Sequence, residues 1–200
     1  MERGKQGERF SLIERNVAVI IEHKEDISSN FEGTIIDIET IGEFRNEYPD
    51  SRRYKDIQLV IFGFINRHAL NIFCAKGMEA ISELREKTRG IRGIIGSLER
   101  PFYAFSTDFE RSVLFYELGK EIDFDGELQE SREPKAKAVR DLSIPNYDDP
   151  FYDNGYLCMI AWKDREFHKA IAHNRACLLK EKEILIRRGF RKPGELKFVR

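Results

Sequence analysis

The segment GTIIDIETIG, residues 33–42, sets two carboxylates inside an apolar, β-branched run bounded by glycines. Such a run predicts a strand over Phe31–Thr40. Strand side chains alternate between faces, so Asp37 and Glu39 point the same way, about 7 Å apart. Two like charges on one half-buried face repel and are expensive to desolvate. A divalent cation removes that penalty, and hard cations such as Mg²⁺ and Mn²⁺ prefer oxygen ligands. The alternative is a strand whose carboxylates meet Arg or Lys from a neighbour. The tripeptide D-x-E recurs at Asp108/Glu110, Asp125/Glu127 and Asp164/Glu166, but only the Asp37/Glu39 copy lies in an apolar strand.

Two later segments carry further candidates. FYAFSTDFERSVL reads as a strand running into a helix over Thr107–Leu118, with Thr107 and Glu110 spaced as a capping box. Asp108 then falls in the first turn, where a carboxylate complements the helix dipole even without any ligand. A long helix is predicted over Lys163–Arg188, ended by Gly189 and Pro193. On it Phe167, Ile171, Leu178 and Leu185 form an apolar stripe. Asn174 and Glu181 fall within about 40° of the stripe's centre, Cys177 lies at its edge and His173 borders it. A Glu facing a core needs either a metal or a basic residue from another segment. His173 belongs to the residue type that titrates near neutral pH and suits water activation. The segment IPNYDDPFYDNGY, residues 144–156, is rich in turn formers and aromatics. Phe44, Tyr147, Phe151 and Tyr152 can stack on unpaired bases, at about 1–3 kcal/mol each, or simply pack their loops.

The elements that must position these residues read as one domain, since 200 residues with 41% apolar types can bury a real core. A leading helix is expected over residues 9–27, giving a helical extension over residues 1–30 before a core at 31–188 and a basic tail at 189–200. Further strands are expected at Lys55–Ile65, Ala69–Ala75 and from Pro101 to Ser106. A helix is expected over Gly77–Leu98, and a loop-rich stretch over 119–160. The order predicts an α/β fold with a mixed sheet covered by helices. The 34 basic and 35 acidic residues nearly cancel, which excludes a protein that coats nucleic acid by charge alone. The balance is uneven: ten acidic against four basic residues between Glu121 and Asp153, then twelve basic against five acidic from Lys163 to Arg200. That asymmetry fits either solvated helix surfaces or an electrostatic track for phosphates. Three Cys without a CxxC indicate neither a disulfide framework nor a zinc knuckle. No apolar run approaches a membrane span, no signal core opens the chain, and a soluble cytoplasmic protein is expected. The charge-rich, Gln-poor composition is of the kind thermophiles favour.

GTIIDIETIG resembles the first motif of the DnaQ-like (DEDD) 3′–5′ exonucleases of the RNase H-like superfamily. There an apolar strand ends in D-x-E, followed by T-x-G or T-G; Thr40 and Gly42 fit. The second motif places an Asp after the next parallel strand, at a helix start, where Asp108 stands. The third expects Tyr-x₃-Asp or His-x₄-Asp on a late helix. His173-Asn174 fits relatives with HN-x₂-D, while Cys177 occupies the place of the carboxylate, and Glu181, one turn on, is the substitute. The resemblance spans about residues 31–188 and points to an archaeal or thermophilic branch with a variant third motif.

The resemblance implies an RNase H-like mixed sheet, with antiparallel hairpin strands plus parallel strands. It implies two Mg²⁺ or Mn²⁺ ions, with Asp37 and Glu39 on one, Asp37 bridging to a second beside Asp108, and Glu181 completing the set. His173 would orient or deprotonate the attacking water. Thr40, Phe44, Tyr147 and Phe151 would touch a single strand, DNA being favoured over RNA, with release of nucleoside 5′-monophosphates. A homo-oligomer enclosing the strand is a further expectation. The rival readings are an exoribonuclease of the same fold and a non-catalytic nucleic-acid-binding protein, the latter supported by the missing fourth Asp.

Overall fold

The computed structural model describes residues 19–89 and 93–200. Among them six strands form one mixed sheet: β1 Ile20–Asp26, β2 Thr34–Ile41, β3 Gln58–Asn66, β4 Ala69–Ala75, β5 Phe102–Ala104 and β6 Gly126–Glu127. Their spatial order is β1-β4-β3-β2-β5-β6. The first four pair antiparallel, whereas β5 and β6 join β2 in parallel. The protein is thus α/β with a mixed sheet, as its element order predicts.

On β2, Ile35, Asp37 and Glu39 alternate with Ile36 and Ile38, and both sets are buried. A strand covered on both faces reads as a continuous apolar run, which makes its two carboxylates conspicuous. The cover comes from α1 Ile81–Thr88, α2 Ile94–Ser97, α3 Thr107–Leu118, α4 Lys135–Asp141, α5 Gly155–Lys163 and α6 Phe167–Arg188. The last of these packs across β2, β3 and β4 and so lies over the strand that carries the acids.

Several expectations are corrected. The leading helix does not extend over residues 20–26, which form β1; residues 9–18 lie outside the described part. Ile21, His23 and Glu25 are half-buried while Glu22, Lys24 and Asp26 are exposed, the period-2 pattern of an edge strand. Arg175 on α6 and His23 grip Glu25, tying this edge to the core. Among the described residues the sheet therefore begins at Ile20 and not at Phe31. The helix expected over Gly77–Leu98 is a turn of 3₁₀ helix at Met78–Ala80, then α1, then the short α2; Gly90 and Ile91 lie outside the described residues. The stretch 119–160 holds β6, α4 and α5, and the final helix starts at Phe167. Asn154 caps α5 by accepting from the Tyr156 and Leu157 amides. Being apolar almost all round, α5 shows no helical stripe to read. The basic tail is docked: Arg191 bridges Glu127, and the Val199 amide donates to Ser51 Oγ at 2.9 Å. No helix among the described residues is long and apolar enough to cross a membrane.

Candidate active site

Asp37 stands opposite Gly63 across the β2–β3 ladder. A Cβ at Gly63 would lie 2.0 Å from Asn174 Oδ1, so the glycine is what lets α6 approach the strand. Asn174 uses that approach: its Nδ2 donates to Asp37 Oδ2 at 2.7 Å and to the Asp37 carbonyl at 3.3 Å. From the start of α4, Lys135 Nζ donates to Asp37 Oδ1 at 3.0 Å and lies 2.5 Å from Glu181 Oε1. One consequence is testable. Gly63→Ala forces the buried Asn174 aside and strips Asp37 Oδ2 of its donor. A stability loss of about 1–3 kcal/mol is expected, read from the urea midpoint. An unchanged midpoint would show that the close approach is dispensable.

One residue further along, the pairing slips. Glu39 faces Ile61 but Thr40 faces Leu59, leaving Val60 as an extra residue. A bulge of this sort bends a strand and re-aims its side chains beside a site. Glu39 meets His173 Nε2 at 3.7 Å, and the same nitrogen lies 3.7 Å from Cys177 Sγ. These three donors lie within 4.8 Å of one another. Burial, reinforced by Asp37 and opposed by His173, pushes Glu39 up to about 7. Burial works against charge on His173, but Cys177, Glu39 and Asp149 outweigh it and raise the imidazole to about 11. The other ring nitrogen, Nδ1, lies 2.7 Å from Asp149 Oδ1, which fixes Nε2 as the atom turned toward Glu39 and Cys177.

The third acid comes from α3, and it is Glu110. Asp108 and Glu110 are two residues apart on a helix, about 200° around its axis, so they face opposite ways. Glu110 is 4% exposed and lines a cavity of about 380 Å³ together with Asp37, Glu39, Lys135, His173 and Cys177. Burial, then the charge of Asp37, raises Glu110 well above the ordinary carboxylate range. Asp108, predicted for this role, instead lines a neighbouring cavity of about 600 Å³ with Tyr48, Arg53 and Arg132. The expected capping box does not form. Ser106 is the N-cap, Thr107 Oγ1 donates to Glu127 at 3.0 Å, and Glu110 turns inward.

Phe44, Tyr54 and Phe109 form an edge-to-face cluster lining the same cavity, with ring centroids 5.7–6.4 Å apart and Arg53 beside it. Phe44 thus stands at the mouth of the cavity that holds Asp37 and Glu39. Thr40 is half-buried on β2 and does not line the cavity. Tyr147 and Phe151 pack against the core, Phe151 with its ring 5.6 Å from that of His173. Glu181 is fully buried behind the cavity, held by Lys135, which is the basic partner that sequence alone left open.

The loop before α5 is organised by Asp149. Besides His173, Asp149 accepts from the amides of Phe151 at 2.9 Å and Asp153 at 2.8 Å, and from Lys180 Nζ at 2.7 Å. Lys180 also reaches Asp153 at 2.8 Å. Tyr147, Asp148, Tyr152 and Asp153 all adopt left-handed backbone conformations without being glycine. Each costs about 1–2 kcal/mol, so the loop keeps this shape because the Asp149 contacts over-determine it.

Asp37, Glu39 and Glu110 supply buried oxygen donors, and Glu110 Oε2 has no hydrogen-bond partner among the described residues. With Glu181 they make four buried carboxyl groups around one lysine and one histidine. That excess of anionic donors suits a hard divalent cation. Lys135 is charged as well as close: burial opposes its charge, but Asp37, Cys177 and Glu181 outweigh it and raise its pKa well above the ordinary lysine value. Sequence reasoning passed over Glu110, Lys135, Asp149 and Lys180. Only Glu110 left a local signal, as the other acid of its D-x-E. Comparison with family models, curated proteins and solved structures gives no match for this chain.

Proposed function

We propose that this protein is a divalent-metal-dependent 3′–5′ exonuclease of the DnaQ-like kind, built on an RNase H-like sheet and acting on single-stranded DNA. The observation that carries the reading is the convergence of Asp37, Glu39, Glu110 and His173 on one aromatic-mouthed cavity. Asp37, Glu39 and Glu110 would hold Mg²⁺ or Mn²⁺, which when bound polarises the phosphodiester and acidifies water. His173, held as an imidazolium, would donate from Nε2 to the attacking water's oxygen or a phosphate oxygen and so orient it, with Asp149 fixing the ring through Nδ1. Phe44, Tyr54 and Phe109 offer faces and edges to a terminal base, and Arg53 offers charge to a phosphate. A cavity of about 380 Å³ suits one nucleotide at a time, consistent with attack at an end.

The test is release of 5′-mononucleotide from a 3′-labelled single strand in Mn²⁺ or Mg²⁺, its loss in EDTA, and a slower rate on a blunt duplex whose end must unpair. Cleavage within a closed circle would overturn the exonuclease reading. The Lys135–Glu181 pair and Cys177 favour a second reading, a non-catalytic nucleic-acid-binding protein. Tight binding of the labelled strand with no metal-dependent release would establish it. A matched RNA strand in the same assay separates exoribonuclease from deoxyribonuclease, since contacts to the 2′-OH decide that choice.

A further inference from the structure

We infer that the Lys135 ammonium is a resident monovalent cation standing where a second divalent ion would otherwise be held, so that the site takes a single divalent ion. This rests on the metal-dependent reading above. Lys135 Nζ bridges two carboxylates from different elements, Asp37 on β2 at 3.0 Å and Glu181 on α6 at 2.5 Å. An ammonium held between two buried carboxylates occupies the place and supplies the charge of a bound cation. The flexible four-carbon stem reaches in from the first residue of α4 and runs beside Phe105, whose ring centroid lies 5.5 Å from Nζ. The side chain is only 16% exposed, so the charge is fixed in the site and not borrowed from solvent.

The carboxylates divide accordingly. Glu181 is fully buried, and the lysine is its cationic partner. Glu39 and Glu110 have no salt bridge to a lysine or arginine among the described residues, and both line the cavity, which Glu181 does not. The divalent ion therefore belongs on the Glu39–Glu110 side, with Asp37 shared between it and the lysine. Of the three ammonium donors one is taken by Asp37, while Glu181 is held as an ion pair without a hydrogen bond. That leaves room for a phosphate oxygen in the cavity that Lys135 lines.

Counting bound Mn²⁺ from loss of the free-ion electron paramagnetic resonance signal tests this without reference to turnover. Wild-type protein is expected to bind one equivalent, Lys135→Arg one, and Lys135→Gln two. If Lys135→Gln does not fold alone, Lys135→Met, refolded in excess Mn²⁺, fills the buried stem and keeps Asp37 and Glu181 as ligands. That variant is also expected to bind two equivalents. Two equivalents in the wild type, or one in the lysine-free variants, would overturn the inference and leave the exonuclease reading standing. No bound Mn²⁺ in any variant would overturn both.

Discussion

Asp37→Asn is expected to abolish turnover while leaving the protein folded. The side chain sits where β2, α4 and α6 meet, shared between Lys135, Asn174 and the cavity. On the metal-dependent reading, removing one anionic oxygen here forfeits several kcal/mol of transition-state stabilisation, about a 10³-fold fall in rate or more. The fold tolerates the change because Asn keeps an acceptor for Lys135. Its new amide replaces Oδ2, and Asn174 meets it by turning its own amide over so that Oδ1, which has no hydrogen-bond partner among the described residues, accepts. Turnover of a labelled single strand, alongside an unchanged urea midpoint, checks both halves. Undiminished turnover would remove Asp37 from the chemistry.

Asp149→Ala is expected to cost the most stability. The carboxylate is 2% exposed and holds His173, Lys180 and two loop amides at once. Its removal leaves the fully buried Lys180 with Asp153 and Asn146 alone. Breaking a buried charge network from one side costs about 3–5 kcal/mol, a large part of the roughly 5–15 kcal/mol that holds a domain together. Burial alone would raise the Asp149 pKa, but His173 and Lys180 hold it well below the ordinary aspartate value. A depressed acid contributes its stability above its unfolded pKa of about 3.9 and loses it as pH falls below that, by up to ~1.4 kcal/mol per pH unit. Wild-type urea midpoints should therefore drop between pH 5 and pH 3, and those of Asp149→Asn should drop less. Parallel curves for the two proteins would show that this cluster does not set the acid limit.

The parts of this structure written in local patterns were legible. The strand Ala69–Ala75 and the helix Thr107–Leu118 have the bounds their residues predict, and the D-x-E of β2 stands out because its surroundings are apolar on both faces. What was not legible depends on distance along the chain. Ile20 and Ile21 follow Val17 at helical spacing, and only pairing with β4 makes them a strand. Asp108 and Glu110 are equally plausible acids by spacing, and the rotation of α3 against the sheet chooses between them. Lys135 lies in a charge-rich stretch that reads as solvated surface, and nothing nearby reveals that its partners lie 98 residues back on β2 and 46 residues ahead on α6. The loop 144–156 stands out in sequence for its aromatics, yet the residue that organises it is Asp149.

The dominance of α6 also sets the order in which the protein becomes competent during synthesis. Asp37 leaves the ribosome early, but Asn174 follows 137 residues later. At about 5–20 residues per second that interval is roughly 7–27 s. Through it the nascent chain carries both acids of β2 without His173, Asn174 or Glu181 to complete their surroundings. On the reading proposed above, the site would be acquired only as the last helix docks, after nearly the whole chain has left the ribosome.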